Sequence, residues 1–154
     1  MTSIIADTNF LLGLVDSKDK WHQRSTELYQ SLKVTHAKMI IFDCVANELI
    51  SVIGKRFEES GRQERFKGFI EEKLMPLISK DNVVSLYKRV NEWYDRIIKL
   101  IVDSSGKLNF HDALIQIGAK EMDLQYIISF EEDFDEATNL IRIKEKRETE
   151  KFVF

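Results

Sequence analysis

The chain has 154 residues, of which 44% are hydrophobic, and this is enough for one cored domain over residues 1–154. Its 23 basic and 26 acidic residues give a net charge of −3, which neither indicates nor excludes a polyanionic partner. The single Cys44 excludes an intramolecular disulfide and is expected to be a small buried thiol. Because the sequence has neither a membrane-spanning run nor a signal-peptide pattern, we expect a cytoplasmic protein with no membrane partner.

Four short apolar runs are predicted to be strands, and the first three are nearly continuous in apolar residues, as strands covered on both faces must be. They are SIIA at 3–6, KMIIF at 38–42, YIIS at 126–129 and LIRI at 140–143. Helical periodicity lies between these runs. Strands separated by helices predict an α/β fold with a mainly parallel sheet.

Three stretches have the three- and four-residue apolar spacing of amphipathic helices. The clearest stripe is expected to be core and comprises Val83, Leu86, Tyr87, Val90, Trp93, Tyr94, Ile97, Ile98 and Ile101. The other two comprise Trp21, Leu28, Tyr29 and Leu32, and Phe66, Phe69, Ile70 and Leu74. Pro76 is predicted to end the last of these helices. The charge-rich segment 144–154 is predicted to be a solvated tail, and the sequence leaves open whether its terminal Phe-Val-Phe docks on the body or on a partner.

Acidic residues recur where a predicted strand gives way to a helix. Asp7 follows the first strand, and after the second strand Glu48 lies in the first turns of a helix that starts near Asp43. Asp112 is the third residue of a helix that Asn109 is expected to cap. The third strand is followed by Glu131, Glu132, Asp133 and Asp135. Because the carboxyl ends of parallel strands converge on one edge of the sheet, we expect these acids to meet there.

Such a cluster of carboxylates requires neutralisation. Two unit charges about 4 Å apart repel by roughly 4 kcal/mol at an effective dielectric constant near 20. Protonation or a divalent cation relieves this repulsion, and oxygen ligands favour Mg²⁺ or Mn²⁺ over zinc. Since Mg²⁺ typically binds a few carboxylates together with substrate phosphates, the pattern points to chemistry on a phosphate ester.

Each acid taken alone also has a purely structural interpretation. Asp112 would complement the helix dipole in a capping arrangement with Asn109, and Glu48 would be an exposed helix glutamate. Asp7 would belong to the turn that starts the next helix. The joint placement of the acids after successive strands is what favours a site.

Four segments resemble, in order and spacing, the PIN-domain ribonucleases, a family that includes the toxins of virulence-associated toxin–antitoxin modules. The segments are IIADTNFLL, FDCVANELI, NFHDALI and YIISFEEDFD, and the similarity extends over 3–143. The resemblance implies a three-layer α/β/α sandwich and a Mg²⁺- or Mn²⁺-dependent endoribonuclease that hydrolyses RNA. It also implies a homodimer. A toxin would have an antitoxin protein that blocks the acidic site with a basic side chain, and the sequence leaves open whether the protein is such a toxin or a stand-alone RNA-processing or decay nuclease.

By this resemblance, the family's three metal-binding acids are matched by Asp7, Glu48 and Asp112. The fourth position, usually an aspartate, is Glu131 here, and Asp133 matches an additional acid two residues later. Either Glu131 reaches the metal from further back, or Asp133 takes over its role. The family's polar positions that orient the acids or the metal waters are matched by Thr8, Asn9 and Ser129. The implied mechanism is attack on a phosphodiester by a metal-activated water, in which Glu48 ligates through water or assists proton removal.

A PIN-like module that binds RNA or protein without cleaving is the alternative function. Glu131 is the feature that favours it, whereas a carboxylate at every family position favours an enzyme. A metal-dependent phosphatase or phospho-receiver ranks behind both, because the segment ADTNFLL lacks the Asp-x-Asp signature of the first and no paired acids precede Asp7 as in the second.

An acidic cleft repels RNA, so binding must come from metal charge and from basic residues around the rim. The candidates are Lys18, Lys20, Arg24, Lys55, Arg56, Arg62 and Arg65. For each of them a solvated helix face is an equally good interpretation. His111 is expected to be a surface or packing residue, and Trp21 a core residue rather than one that stacks on a base.

Overall fold

The computed structural model describes residues 1–137 and 139–152, and within them five strands form one sheet. The strands are β1 (Ser3–Ala6), β2 (Lys38–Phe42), β3 (Val83–Val84), β4 (Tyr126–Ile128) and β5 (Ile141–Ile143). Their order is β3-β2-β1-β4-β5, and every neighbouring pair is parallel, with Ile5 opposite both Ile40 and Ile127. The predicted parallel sheet is confirmed, and the central strand β1 is buried from Ile4 onward as a two-sided strand requires.

Helices flank the sheet, which confirms the predicted α/β sandwich. They are α1 (Thr8–Val15), α2 (His22–Val34), α3 (Asp43–Glu59), α4 (Phe66–Phe69), α5 (Met75–Ile78), α6 (Val90–Asp103) and α7 (Phe110–Glu121). Helix α1 packs on α2 and α3, whereas α6 packs on α7. Among the described residues, no helix is both long and apolar enough to cross a membrane.

The strand order reverses beside β1. The chain runs outward from β1 through β2 to β3, then returns to place β4 and β5 on the other side of β1. In an open parallel sheet, ligands bind in the crevice at the carboxyl ends of the two strands where this reversal occurs. Asp7 follows β1 and Ser129 follows β4, so the first and fourth acidic segments of the sequence meet at this crevice.

The predicted helix over 83–101 is wrong in its first part. Val83 and Val84 pair with β2 as the short strand β3, and the α-helix begins only at Val90. A two-residue apolar pair has no periodicity of its own, so the sequence could not separate it from the helical stripe that follows.

The stripe on α6 is also narrower than predicted. Trp93 and Ile97 are buried, whereas Tyr94 and Ile98 are 51% and 37% exposed. Tyr87, in a 3₁₀ turn before the helix, is exposed too. These side chains widen the apolar face without reaching the core.

Pro76 does not end the helical segment as predicted. The chain continues from α4 through a π-helical turn at Ile70–Leu74 into α5, in which Pro76 occupies the first turn. The amide of Met75 donates to the carbonyl of Ile70, five residues back. The wider π-helical turn directly precedes α5, and Pro76 lacks the N–H that a regular α-helix would use at this position.

The predicted solvated tail is likewise wrong for its described part. Residues Lys146–Phe152 form a 3₁₀ helix that buries Thr149 and Phe152. Thr149 forms a hydrogen bond with Ser31 on α2. The Phe152 ring packs edge-on against the Tyr126 ring, with the ring centroids 4.8 Å apart. Thr149 and Phe152 therefore anchor the segment, although its many charged residues led the sequence analysis to predict a solvated tail. Residues 153 and 154 lie outside the described residues.

Cys44 is fully buried at the start of α3, as the sequence predicted. Burial, with the charge of Asp43 adding to it, raises the pKa of the Cys44 thiol to about 12. The thiol is thus an apolar core group rather than a nucleophile.

Candidate active site

Asp7 lies at the centre of the site, where β1 passes into α1. It caps α1 through a hydrogen bond from the amide of Thr8 to its Oδ1 at 2.8 Å, and only 7% of the residue is exposed. The hydroxyl of Ser129, beyond β4, donates to Oδ2 at 2.7 Å, and the side-chain amide of Asn9 reaches the same oxygen at 3.3 Å. Contacts from both sides of the crevice therefore fix this buried carboxyl.

The same polar residues hold the segment that carries the fourth acid. Asn9 accepts a hydrogen bond from the amide of Phe130 at 3.0 Å, and Ser129 Oγ accepts one from the amide of Glu131 at 3.2 Å. Asn9 Nδ2 also donates to Ser129 Oγ at 3.2 Å. One hydrogen-bonded network thus sets the positions of the Asp7 carboxyl and of the chain leading to Glu131.

Glu48 lies in the second turn of α3 and is exposed. Its Oε2 accepts a hydrogen bond from the hydroxyl of Thr8 at 2.9 Å. Since the Thr8 amide binds Asp7, this one residue connects the second acid of the sequence to the first.

Asp112 is the third residue of α7 and is half-buried. Its Oδ2 accepts a hydrogen bond from the amide of Asn109 at 3.1 Å, while Asn109 Oδ1 accepts one from the amide of Asp112 at 2.8 Å. This is a complete capping box, so the structural role anticipated for Asp112 is present. Among residues 1–137 and 139–152, the other carboxylate oxygen of Asp112 accepts no side-chain or backbone hydrogen bond, which leaves it for other interactions.

Burial and mutual repulsion raise the pKa of two of the acids. The pKa of Asp7 rises to about 7, mainly because burial disfavours its charged form and also because Glu131 and Glu48 repel that charge. The hydrogen bonds from Ser129 and Thr8 lower this pKa and so offset part of the rise. The pKa of Asp112 rises to about 6 by burial and by repulsion from Asp133, Glu131 and Glu48, while the Asn109 amide lowers it. Glu48 and Glu131 therefore act electrostatically on both Asp7 and Asp112, and Asp133 acts on Asp112.

These acids do not form a preassembled ligand shell. In residues 1–137 and 139–152, no group of three or more histidine, cysteine, aspartate or glutamate side chains is arranged closely enough to hold a metal ion. The donor chemistry nevertheless fits a hard divalent cation, because the candidates are all carboxylates and their mutual repulsion raises two of the pKa values. Glu131 and Asp133 both lie on the exposed rim, so their positions do not distinguish which of them fills the fourth place.

Sequence reasoning missed Asp43, which it used only to mark the start of α3. Asp43 Oδ2 accepts a hydrogen bond from the hydroxyl of Ser85 at 2.6 Å, and Oδ1 accepts one from the amide of Leu86 at 2.9 Å. The amide of Tyr87 also donates to this carboxylate. The only sequence signal was an acid directly after a strand, and its partners lie more than 40 residues away.

Tyr87, held in this way, lies beside the acids. Its hydroxyl accepts a hydrogen bond from Asn47 at 2.9 Å and lies 3.1 Å from Nε2 of His111. Asn47 and His111 directly precede Glu48 and Asp112. A polar bridge therefore connects the helices that carry these two acids, and His111 contacts Tyr87 rather than standing alone on the surface.

Two of the basic candidates for RNA binding are engaged elsewhere. Arg56 donates to Asp16 at 2.7 Å and to Asp19 at 2.8 Å, and Lys55 forms an exposed ion pair with Glu59 at 3.8 Å. Arg56 therefore ties α3 to the loop between α1 and α2. A cleft of about 470 Å³ beside it is lined by this loop and by residues of α3 and includes none of the five acids.

The solved structures that are similar to this chain include three proteins, each matched over most of its length. VapC20 of Mycobacterium tuberculosis, a sarcin-ricin-loop-cleaving toxin, is 18% identical with a TM-score of 0.60, covering 89% of this chain and 96% of that one. VapBC2 of Rickettsia felis, solved with a DNA fragment from its promoter, is 15% identical with a TM-score of 0.61, covering 92% of this chain and 98% of that one. FitAcB of Neisseria gonorrhoeae is 16% identical with a TM-score of 0.64, covering 91% of this chain and 96% of that one.

No protein-family model and no curated protein sequence matches the chain. The three structures are toxins of the PIN-domain class, and at these identities they establish the fold. The chain therefore has a PIN-domain toxin-like fold, and the sequence resemblance is confirmed at that level. The catalytic roles of the five acids remain predictions.

Proposed function

We propose that this protein is a nuclease of the PIN-toxin type, and specifically a Mg²⁺- or Mn²⁺-dependent endoribonuclease. The observation that carries the proposal is the buried Asp7 at the switch point of the sheet, held by Ser129 and Asn9. Three further acids, Glu48, Glu131 and Asp133, act electrostatically on Asp7 or on Asp112. A buried carboxyl with its pKa raised to about 7 is costly to ionise, and a cation would relieve that cost.

In this proposal Asp7, Asp112 and a carboxylate from the segment 131–133 hold the cation. When bound, the ion polarises a phosphodiester and lowers the pKa of a water molecule. Ser129 and Asn9 keep the Asp7 carboxyl in place, and Thr8 keeps Glu48 near it. Glu48 is exposed beside the site, where it would accept a proton or bind a water.

We further propose that the protein acts in the cytoplasm as the toxin of a toxin–antitoxin pair and that it forms a homodimer. The fold supports the toxin assignment, because VapBC2 and FitAcB are toxin–antitoxin complexes. An antitoxin would complement the site with a basic side chain, since carboxylates are the groups proposed to form it.

The proposal is tested by incubating purified protein with an internally labelled, mixed-sequence RNA in Mg²⁺, Mn²⁺ or EDTA. Asp7→Asn and Asp112→Asn should each lower the cleavage rate by about 100-fold or more, because each removes a charge that holds the cation. Asp95→Asn, an exposed aspartate on α6, is the matched control and should cleave at the parent rate. Cleavage that persists in EDTA, or in both site variants, would contradict the proposal.

The fourth acidic position is tested by a second pair of variants. If Glu131 contacts the cation, Glu131→Gln should lower cleavage and Glu131→Asp should retain or improve it, while Asp133→Asn has a small effect. The reverse pattern assigns the position to Asp133. If folded protein cleaves no RNA in any metal and Glu131→Asp does not restore cleavage, the alternative of a non-cleaving RNA- or protein-binding module replaces the enzyme.

A further inference from the structure

Trp21 does not lie in the core stripe of α2 as the sequence indicated. It precedes the first residue of that helix, is only half-buried, and stacks on Phe130 with the ring centroids 4.7 Å apart and the planes inclined by 28°. Phe130 is also half-buried. A stacked aromatic pair that retains exposed surface is suited to receive a further planar group.

Phe130 is part of the chain that forms the acidic site. The residue before it, Ser129, donates to Asp7 at 2.7 Å, and the residue after it is Glu131. Its own amide donates to Asn9 at 3.0 Å. The aromatic pair is therefore attached to the proposed catalytic centre by adjacent residues and a direct hydrogen bond.

Two cations accompany the rings. The guanidinium carbon of Arg24 lies 5.1 Å from the Trp21 ring centroid and 5.9 Å from that of Phe130, and Nζ of Lys20 lies 5.3 Å from Trp21. Within the part of the chain that the structure describes, neither cation has a carboxylate within ion-pair distance, in contrast to Arg56, which has two. Two positive charges that no described carboxylate neutralises thus accompany the ring of Phe130, the residue before Glu131.

The position of Trp21 is fixed before any ligand arrives. Its amide donates to Asp19 Oδ1 at 2.8 Å, and the other oxygen of Asp19 accepts from Arg56 at 2.8 Å. Helix α1 approaches this turn so closely that a Cβ added to Gly13 would lie 3.0 Å from the Trp21 backbone and 2.3 Å from the hydroxyl of Ser25. Preorganisation of this kind lowers the entropic cost of binding a ligand on the ring.

We propose that Trp21 and Phe130, flanked by Arg24 and Lys20, form a binding site for an unpaired nucleobase of the substrate strand beside the phosphate that is cleaved. This inference rests on the proposed ribonuclease function for the identity of the strand. Unpaired RNA bases bind by stacking on aromatic rings and on guanidinium planes, and the neighbouring phosphates pair with cations. Lys20 and Arg24 supply the positive charge that the acidic crevice lacks.

The site is tested by the fluorescence of Trp21 without reliance on cleavage. The chain has two tryptophans, and Trp93→Phe removes the buried one, which leaves Trp21 as the reporter. This variant is titrated in EDTA with single-stranded pentaadenylate and with an abasic ribose-phosphate pentamer of the same length. We expect saturable quenching by pentaadenylate that is much weaker with the abasic pentamer.

Variants in the same background identify the residues. Phe130→Leu and Arg24→Gln should each weaken pentaadenylate binding by about 5- to 150-fold, the range expected for loss of one base-stacking contact. Lys33→Gln is the matched control, because Lys33 also lies over an aromatic ring on α2, that of Tyr29 at 4.5 Å, and it should bind as the parent does. Circular dichroism and thermal unfolding establish that each variant is folded, and the exposed Arg24 provides a test even if Phe130→Leu does not fold.

The outcomes separate this inference from the proposed function. Base-dependent quenching without metal-dependent cleavage would support the base site and contradict the nuclease. Cleavage with equal quenching by both pentamers, or with parent-like binding by folded Phe130→Leu and Arg24→Gln, would overturn the base site and leave the nuclease standing. In a cleaving enzyme, Arg24→Gln should raise KM for RNA and leave kcat nearly unchanged.

Discussion

Asp7 and Asp112 both lie at the start of a helix and both have a raised pKa, yet the chain builds the two positions from different kinds of contact. Asp7 is buried and bound by Ser129, which is 122 residues away in sequence. Asp112 is half-exposed and is bound by Asn109, three residues away, in a capping box. One position depends on the assembled sheet and the other on a single helical turn.

The difference shows where the case for function is strongest. Asp112 contributes to the stability of α7 whether or not it has a second role, because a capping box satisfies two helix-terminal amides. Asp7 also caps its helix, but an asparagine would do so equally well without placing a charge in a buried crevice. The charge of Asp7 is therefore the part of the site that structural needs explain least.

The largest expected effect is on stability in the absence of metal. Because the folded-state pKa of Asp7 is raised from 3.8 to about 7, the folded protein binds this proton more tightly than the unfolded chain does. Its contribution to stability is therefore present below about pH 4 and is lost as the pH rises to about 7. At pH 8 in EDTA, Asp7→Asn should raise the free energy of unfolding by up to about 4 kcal/mol, the equivalent of the shift in pKa. Urea unfolding measured from pH 4 to 8 tests this.

Asp112→Asn provides the contrast in the same experiment. Its pKa is raised from 3.8 to about 6, so its contribution is lost over the lower window from about pH 4 to 6. Asp112→Asn should raise the free energy of unfolding at pH 8 by less than Asp7→Asn does, because the Asp112 carboxyl is partly solvated and the capping box loses a charged acceptor. Equal gains, or a loss on Asp7→Asn at pH 8, would contradict the distinction between the two positions.

A second prediction removes the long-range contact of Asp7. Ser129→Ala deletes the hydroxyl that donates to Asp7 and accepts from Asn9 and from the amide of Glu131. Leaving buried polar groups unpaired should lower the free energy of unfolding by about 1–3 kcal/mol at pH 8. The measurement is urea unfolding beside Ser51→Ala, a control whose exposed hydroxyl donates to the carbonyl of Asn47 in its own helix. If both variants lost the same small amount, Ser129 would not be supporting Asp7.

The two positions also differ in how far the sequence predicted them. The Asn109–Asp112 capping box is local: the sequence predicted the Asn109 cap and offered the box as the structural interpretation of Asp112. The placement of Asp7 at the sheet edge was predicted from the order of strands and helices, whereas its bonds to Ser129 and Asn9 were anticipated only through the family resemblance. The stacking of Trp21 on Phe130 and the bonds of Asp43 to residues 85–87 were not predicted, because they join residues more than 40 positions apart that carry no periodic signal.

The prediction for the local position is correspondingly smaller. Asn109→Ala removes the side chain that accepts from the amide of Asp112 and should lower the free energy of unfolding by about 1 kcal/mol. The backbone amide of residue 109 still donates to Asp112, so the pKa of that carboxyl, followed by NMR titration, should change little. A large change in this pKa would show that the cap orients Asp112 and would remove the contrast with Asp7.

The smallest expected effect on stability concerns the Tyr87 hydroxyl, which bridges the residues next to Glu48 and Asp112. Tyr87→Phe removes the hydroxyl that joins Asn47, beside Glu48, to His111, beside Asp112. Because these groups are largely exposed and water replaces the lost bonds, the free energy of unfolding should fall by only about 0.5 kcal/mol, close to that of the control Tyr94→Phe. The informative quantity is metal-dependent cleavage, measured for both variants. A loss of more than about tenfold for Tyr87→Phe alone would mean that Asp112 depends on a tertiary contact after all, and that the local turn does not suffice to place it.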